Sequence, residues 1–80
     1  MIFLPTIFKI DGYRFFFFSN EHTPEHIHIE KADVYARIEL ETLTVTDSYN
    51  LNSKELKKLI KLVDKNKSTL KGSWHEYFKQ

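Results

Sequence analysis

The sequence predicts a small α+β domain, in which an antiparallel sheet of four to five strands carries one long C-terminal helix. Residues 1–50 contain short apolar runs separated by turn residues, a pattern typical of strands. Residues 51–80 contain apolar residues at spacings of three and four, which is typical of a helix. Because the chain has only 80 residues, we expect a single domain over residues 1–80, with the strands and a site loop before the helix.

The first two strands are predicted on either side of Asp11-Gly12, a dipeptide that favours a two-residue hairpin turn. The first strand covers Ile2–Ile10, in which Pro5 indicates an edge strand or a late start. The second covers Tyr13–Phe18. Its four consecutive phenylalanines cannot all face one side, so we expect this strand to be central and covered on both faces.

A third strand is predicted at His26–Glu30, after a loop over residues 19–25. Side chains of a strand alternate between its two faces. Ile27 and Ile29 therefore share one face, which we expect to be the core face. The two histidines of the strand share the opposite, polar face.

The fourth strand covers Val34–Leu40, where apolar and polar residues alternate cleanly. It follows a turn at residues 31–33, so the third and fourth strands are predicted to form a hairpin. Leu43–Val45 is a candidate fifth strand. Residues 47–50 are predicted as a loop.

The C-terminal helix has a well-marked start. Asn52 is a favourable N-cap, and Glu55 stands three residues later as its capping-box partner. A stripe with alternating steps of four and three follows, interrupted by one lysine: Leu56, Ile60, Val63, Lys67, Leu70, Trp74 and Tyr77. We predict one long helix, bent or frayed near residues 66–68 or 72, whose far end extends beyond the sheet.

Composition limits the class of protein. The chain has no cysteine, which excludes disulfides and thiolate metal sites. The longest apolar run, Phe15–Phe18, is too short to cross a membrane, and the first residues lack the pattern of a signal peptide. We therefore expect a soluble, cytoplasmic protein without membrane contact.

Charge is distributed unevenly along the chain. Residues 1–52 hold four basic and eight acidic residues, whereas residues 53–80 hold eight lysines and three acidic residues. The helix therefore presents a basic face, which is either simply solvated or contacts RNA, DNA or an acidic partner. The candidate contact residues on that face are Lys58, Lys61 and Lys65.

Three of the four histidines lie in one segment, Asn20-Glu21-His22-Thr23-Pro24-Glu25-His26-Ile27-His28. Imidazole changes charge near neutral pH and is a common metal ligand, so this segment predicts a functional site. One interpretation is a zinc or iron site formed by His22, His26 and His28, with a glutamate of the same region as the fourth ligand (Glu21, Glu25 or Glu30). Another is structural, in which the strand histidines pack and hydrogen-bond at the sheet surface.

A third interpretation is metal-free acid–base chemistry. His28, Arg37 and Glu39 project from the same face of adjacent strands if these strands form a hairpin. Such a set matches the base, acid and cation that a ribonuclease needs to cleave a phosphodiester. The candidate catalytic residues are His22, His26, His28, Arg37 and Glu39. We expect the purified protein to contain no metal or other cofactor.

Several of these elements together resemble a bacterial family known as domain of unknown function 4160. They are Pro5-Thr6-Ile7, Gly12-Tyr13-Arg14-Phe15, the histidine segment and Trp74 near the C-terminus. The resemblance covers nearly the whole chain, and some members have been proposed as toxins of type II toxin–antitoxin pairs. The residues that match the family pattern are Arg14, Asn20, Glu21, His22, Pro24, His26 and His28.

The resemblance implies a toxin that is held inactive by a small antitoxin-like protein encoded nearby, and the acid–base interpretation of the histidine-rich site adds an action on RNA or the ribosome. The alternative is a non-catalytic binding module, either a metal or ligand binder or a subunit of a small protein complex. We also expect Trp74 to anchor a homodimer or a partner through the last two helical turns.

Overall fold

The computed structural model describes residues 6–18 and 20–78, and it shows an α+β fold of five strands and two helices. The elements are β1 (Phe8–Ile10), β2 (Tyr13–Phe16), β3 (His26–Lys31), β4 (Val34–Glu39), β5 (Val45–Tyr49), α1 (Ser53–Lys65) and α2 (Lys67–Tyr77). The predicted fold class is therefore confirmed, although the single long helix is not.

The five strands form one antiparallel sheet in the order β1-β2-β3-β4-β5, so each strand pairs with its neighbour in the sequence. The turn between β1 and β2 is at Asp11 and Gly12, whose φ angles of 53° and 81° are those of the predicted hairpin turn. The predicted first strand, Ile2–Ile10, is shorter in the structure and begins at Phe8. Its residues 1–5 lie outside the described residues, and β2 ends at Phe16 rather than at Phe18.

The core lies between one face of the sheet and the two helices. Ile27 and Ile29 are buried on this face, as the alternation of β3 predicts. The buried apolar cluster comprises Tyr13, Phe15, Phe17, Ile27, Ile29, Ala36, Ile38, Leu40, Leu59, Val63, Leu70 and Trp74. Burial of one such large apolar side chain contributes about 1.5–3 kcal/mol to folding. This face therefore fixes the register that positions the opposite, polar face.

The fifth strand corrects the prediction, because it covers Val45–Tyr49 instead of Leu43–Val45. The segment predicted as a loop over residues 47–50 is therefore mostly strand. Leu43 has a positive φ of 61° and its N–H donates to the carbonyl of Glu39, so it belongs to the turn that precedes β5. As the edge strand, β5 is largely exposed and lacks the apolar alternation that would reveal it in the sequence.

The predicted long helix is divided at Asn66, which ends α1 and precedes α2. The Asn66 side-chain Nδ2 donates to the carbonyl of Leu62 at 2.8 Å, a bond that competes with regular helix geometry. The backbone at Asn66 has φ −108° and ψ 15°, away from helical values. No helix in the described part of the chain is long and apolar enough to cross a membrane.

The break at Asn66 also corrects the predicted role of Trp74. This side chain does not extend beyond the sheet, since it is only 5% exposed and packs edge-on against the ring of Phe17. In α1, the side chains of Leu59 and Val63 are buried. Leu56 and Ile60, which belong to the predicted stripe, are only partly buried. The indole therefore contributes to the core of the monomer.

Candidate functional site

The loop before β3 carries Glu21 back towards the sheet. The Glu21 carboxylate accepts a hydrogen bond from the N–H of Phe18 at 3.3 Å, which ties the loop to the segment that follows β2. The Thr23–Pro24 peptide bond is cis. The loop then enters β3, where His26 and His28 lie on the same side of the strand.

Glu21, His26 and His28 form a buried cluster. The Nε2 atom of His28 lies 2.7 Å from Glu21 Oε2, and the Nε2 atom of His26 lies 3.0 Å from Glu21 Oε1. The exposed fraction of the side chain is 4% for His28, 2% for His26 and 7% for Glu21. One ligand atom from each residue lies within 4.8 Å of the other two. The cluster thus joins two imidazoles to both oxygens of one carboxylate.

The outer nitrogens of the two imidazoles also have partners. His26 Nδ1 donates to the backbone carbonyl of Pro24 at 2.7 Å, because a carbonyl oxygen can only accept. His28 Nδ1 shares a 2.7 Å hydrogen bond with the Tyr35 hydroxyl, in which either group can donate. Both rings are therefore fixed in orientation.

One nitrogen of the cluster stays without a hydrogen bond. In the described part of the chain, His26 Nε2 is buried and has no hydrogen-bond partner, although Glu21 Oε1 is 3.0 Å away. Because Nδ1 of this ring donates to Pro24, Nε2 is the ring nitrogen that faces the Glu21 carboxylate. A buried polar atom that is left unpaired is destabilising by about 1–3 kcal/mol.

Aromatic side chains surround the two imidazoles. His28 lies against Phe18, with ring centroids 4.4 Å apart, and against Phe16 at 5.4 Å. His26 lies 5.1 Å from Trp74. Burial in these surroundings lowers the pKa of His28, while the charge of Glu21 opposes the change. The environment therefore favours a neutral imidazole, which is the form that binds metals.

A cavity of about 640 Å³ opens next to the cluster. Its lining residues are Glu21, His22, Thr23, Glu25, Trp74, His75 and Phe78. Within it, His75 Nε2 lies 2.7 Å from Glu25 Oε2, and the His75 side chain is 66% exposed. The cavity wall therefore contains Glu21 and a second carboxylate–imidazole pair.

Of the predicted catalytic residues, the structure brings His26 and His28 together and places His22, exposed, in the cavity wall. Arg37 and Glu39 do not line the cavity. They lie directly opposite His28 and His26 on β4, as the predicted hairpin requires. Arg37 Nε is buried without a hydrogen-bond partner among the described residues. Glu39 accepts a hydrogen bond from the Thr42 hydroxyl.

The predicted binding residues are dispersed. Arg14 forms an ion pair with Glu30 at 2.6 Å, outside the cavity. Asn20 is exposed, whereas Glu21 and Pro24 belong to the cluster and its support. Trp74 belongs to the core and also lines the cavity.

The predicted basic residues lie on α1. Lys58 forms an ion pair with Asp11 at 3.5 Å, and Lys61 and Lys65 are exposed. Lys58 and Lys61, but not Lys65, line a second cavity of about 650 Å³, together with Ser53, Lys54, Lys57 and Leu62. The predicted basic face is therefore present. The residues that line its cavity are different from those of the histidine cluster and of the cavity next to that cluster.

Two functional contacts are missing from the predicted set. Tyr35 supports His28, and the alternation of β4 gives a usable signal because Tyr35 shares a face with Arg37. Glu25 and His75 lie 50 residues apart in the chain, so no local pattern indicates their pairing.

Most residues of the candidate site lie within a region that matches a known protein family. A family model described as domain of unknown function DUF4160 matches residues 12–75. The chain belongs to this family. The matched DUF4160 region includes the whole cluster, its supporting Tyr35 and both members of the Glu25–His75 pair. No curated protein and no solved structure gives a significant match.

Proposed function

We propose that this DUF4160 protein is the toxin component of a bacterial type II toxin–antitoxin module, acting on RNA or translation through the cavity beside Glu21. The observation that carries the proposal is the position of Glu21, which belongs to the buried cluster and also lines the cavity. A substrate in the cavity can therefore contact a group whose properties are set by two buried imidazoles.

The cavity offers groups suited to proton transfer. Cleavage of an RNA phosphodiester needs a base for the 2′-hydroxyl, an acid for the leaving oxygen and stabilisation of the negative charge. His75 is oriented through Nε2 by the Glu25 carboxylate, so its Nδ1 can exchange a proton with a bound molecule. Trp74 and Phe78 supply an apolar part of the cavity wall.

The lysines of α1 support a nucleic-acid target. Lys54, Lys57, Lys58 and Lys61 line one cavity and concentrate positive charge there. Phosphate groups bind such surfaces through charge, with a strong dependence on salt. The same lysines equally suit an acidic antitoxin-like partner. Such a partner would keep this protein inactive until the two proteins separate.

A second candidate function is a non-catalytic module that binds a metal or ligand. The observation in its favour is the burial of His26 and His28, each no more than 4% exposed, which leaves Glu21 as the cluster member in the cavity wall. A module of this type would not change the growth of its host. The growth experiment below therefore separates the two functions.

The experiment is induced expression of the full chain in a bacterial host, with growth followed over time. Wild type is expected to arrest growth, whereas Glu21→Gln and His75→Gln relieve the arrest because they remove a carboxylate and an imidazole from the cavity. Asp64→Asn, an exposed change on α1, serves as the control and stays toxic. Normal growth with wild type, or undiminished arrest with both variants, contradicts the proposal.

A further inference from the structure

We propose that Glu21, His26 and His28 bind one divalent first-row transition-metal ion, with zinc as the best-fitting occupant. This inference replaces the expectation of a metal-free protein, which depended on residue spacing alone. It depends on the geometry of the cluster and not on the proposed toxin role.

The first support is the unpaired nitrogen of His26. Nδ1 of this ring is already used by the Pro24 carbonyl, so Nε2 presents a lone pair inside a site that is 2% exposed. Glu21 Oε1 is a second lone-pair donor only 3.0 Å away, and no hydrogen bond joins the two atoms. Two such lone pairs repel each other unless a proton or a metal ion lies between the atoms, and the zinc titration below distinguishes these two cases.

The second support is the arrangement behind the ligands. Imidazoles that bind metals nearly always donate their other N–H to a carbonyl, hydroxyl or carboxylate, which fixes the ring and increases its basicity. His26 donates to the carbonyl of Pro24, and His28 has the Tyr35 hydroxyl at 2.7 Å. With the ion on Nε2, His28 Nδ1 donates to Tyr35. Each imidazole thus has the outer partner that a metal ligand requires.

The choice of ion follows from the donor set. Two neutral imidazole nitrogens and one carboxylate suit zinc or ferrous iron, whereas magnesium and calcium prefer oxygen ligands only. Three protein ligands leave one position of a tetrahedral zinc site open, as in zinc enzymes. Because Glu21 lines the cavity, a molecule in the cavity is the natural fourth ligand.

The test uses the full chain without a histidine tag, treated with a chelator and then titrated with zinc chloride by calorimetry. Wild type is expected to bind one zinc per chain, and magnesium chloride is expected to give no signal. Glu21→Gln and His26→Gln should bind zinc at least about 100-fold more weakly, a larger loss than removal of an outer partner causes. His75→Gln keeps an intact cluster and should retain the wild-type affinity.

Tyr35→Phe protects the test against variants that fail to fold. It leaves all three ligands in place but removes the outer partner of His28, and should weaken zinc binding about 10–100-fold while circular dichroism stays unchanged. The proposal is overturned if wild type binds no zinc, or if the cluster variants and His75→Gln all bind it equally. Zinc binding without growth arrest contradicts only the toxin role, whereas arrest without zinc binding contradicts only the metal site.

Discussion

Tyr35 is the residue on which the orientation of His28 depends most directly. Its hydroxyl lies 2.7 Å from His28 Nδ1, and the two rings are stacked with an interplanar angle of 26°. Tyr35→Phe keeps the ring but leaves His28 Nδ1 without this partner. Because the nitrogen is buried, we expect a loss of about 1–3 kcal/mol in the free energy of unfolding, measured by urea denaturation.

The control for this change is Tyr49→Phe. Tyr49 is 67% exposed on the edge strand, so loss of its hydroxyl should change the free energy of unfolding by less than about 0.5 kcal/mol. Equal effects of the two substitutions would show that the Tyr35 hydroxyl does not support His28.

The sequence singles out Trp74 as an anchor but predicts the wrong environment for it. The side chain lies in the core and not on a helix end beyond the sheet. It is buried against Phe17, Phe78 and His26. We expect Trp74→Ala to lower the free energy of unfolding by about 3–5 kcal/mol, as truncation of a buried large side chain does. The comparison is Tyr77→Ala, since Tyr77 is 44% exposed and should lose clearly less. Denaturation of the two variants at equal protein concentration decides between core and surface roles.

Residue types and local spacing predict the cluster only in part. The alternation of β3 places His26 and His28 on one face, and this holds because Ile27 and Ile29 are buried on the other. The same reasoning cannot show that Glu21 folds back between the two imidazoles, because its position depends on the loop and on contacts with Phe18.

At the scale of elements, α1 begins with a complete capping box. Glu55 N–H donates to the Asn52 side chain at 2.8 Å, and Asn52 N–H donates to the Glu55 carboxylate at 3.1 Å. Asn52→Ala removes the side-chain oxygen that accepts from the Glu55 N–H and should reduce the free energy of unfolding by about 1 kcal/mol. Ser53→Ala, one position later, should leave the denaturation midpoint nearly unchanged; an equal shift would argue against the cap.

The start of α2 is connected to the turn after β4 by Glu41. Lys71 donates to its carboxylate, and Lys67 donates to its carbonyl at 2.9 Å. The hydrogen bond from Lys71, together with the charge of Lys67, lowers the pKa of Glu41. A lowered pKa in the folded state stabilises the fold above the ordinary value of 4.5, and this stabilisation is lost as the pH falls through the lowered pKa.

Glu41→Gln should therefore lower the denaturation midpoint at pH 7 and have a smaller effect at pH 2, because the stabilisation is lost as the pH falls through the lowered pKa. The effect at pH 7 should decrease at high salt, because the pair is exposed. Asp64→Asn is the matched control on the neighbouring helix. A Glu41→Gln effect that does not change between the two pH values would contradict the assignment to charge.

The boundaries of helices and strands differ in how well the sequence predicts them. The capping box at Asn52 is a local signal and fixes the start of α1. The division at Asn66 falls within residues 66–68, where a bend or fraying is predicted, and it is accompanied by a side-chain bond to Leu62 that apolar spacing does not reveal. The edge strand β5 is mostly polar and exposed, so its pairing with β4 depends on backbone bonds that leave no apolar pattern.

At the scale of the molecule, the candidate site joins distant parts of the chain. Residues 21–25, β3, β4 and α2 all contribute to the cluster, its support or the cavity. The lysines of α1 form a separate basic surface. The candidate metal centre next to the cavity and the basic surface on α1 are therefore formed by different residues.

The central claim is that Glu21, His26 and His28 share a metal ion. The most direct measurement is anomalous diffraction at the zinc absorption edge from crystals of the full chain grown with zinc. The account predicts one anomalous peak about 2.0–2.2 Å from Nε2 of both histidines and from a Glu21 oxygen. Crystals with no peak at the cluster, and with His26 Nε2 hydrogen-bonded directly to Glu21, would contradict it.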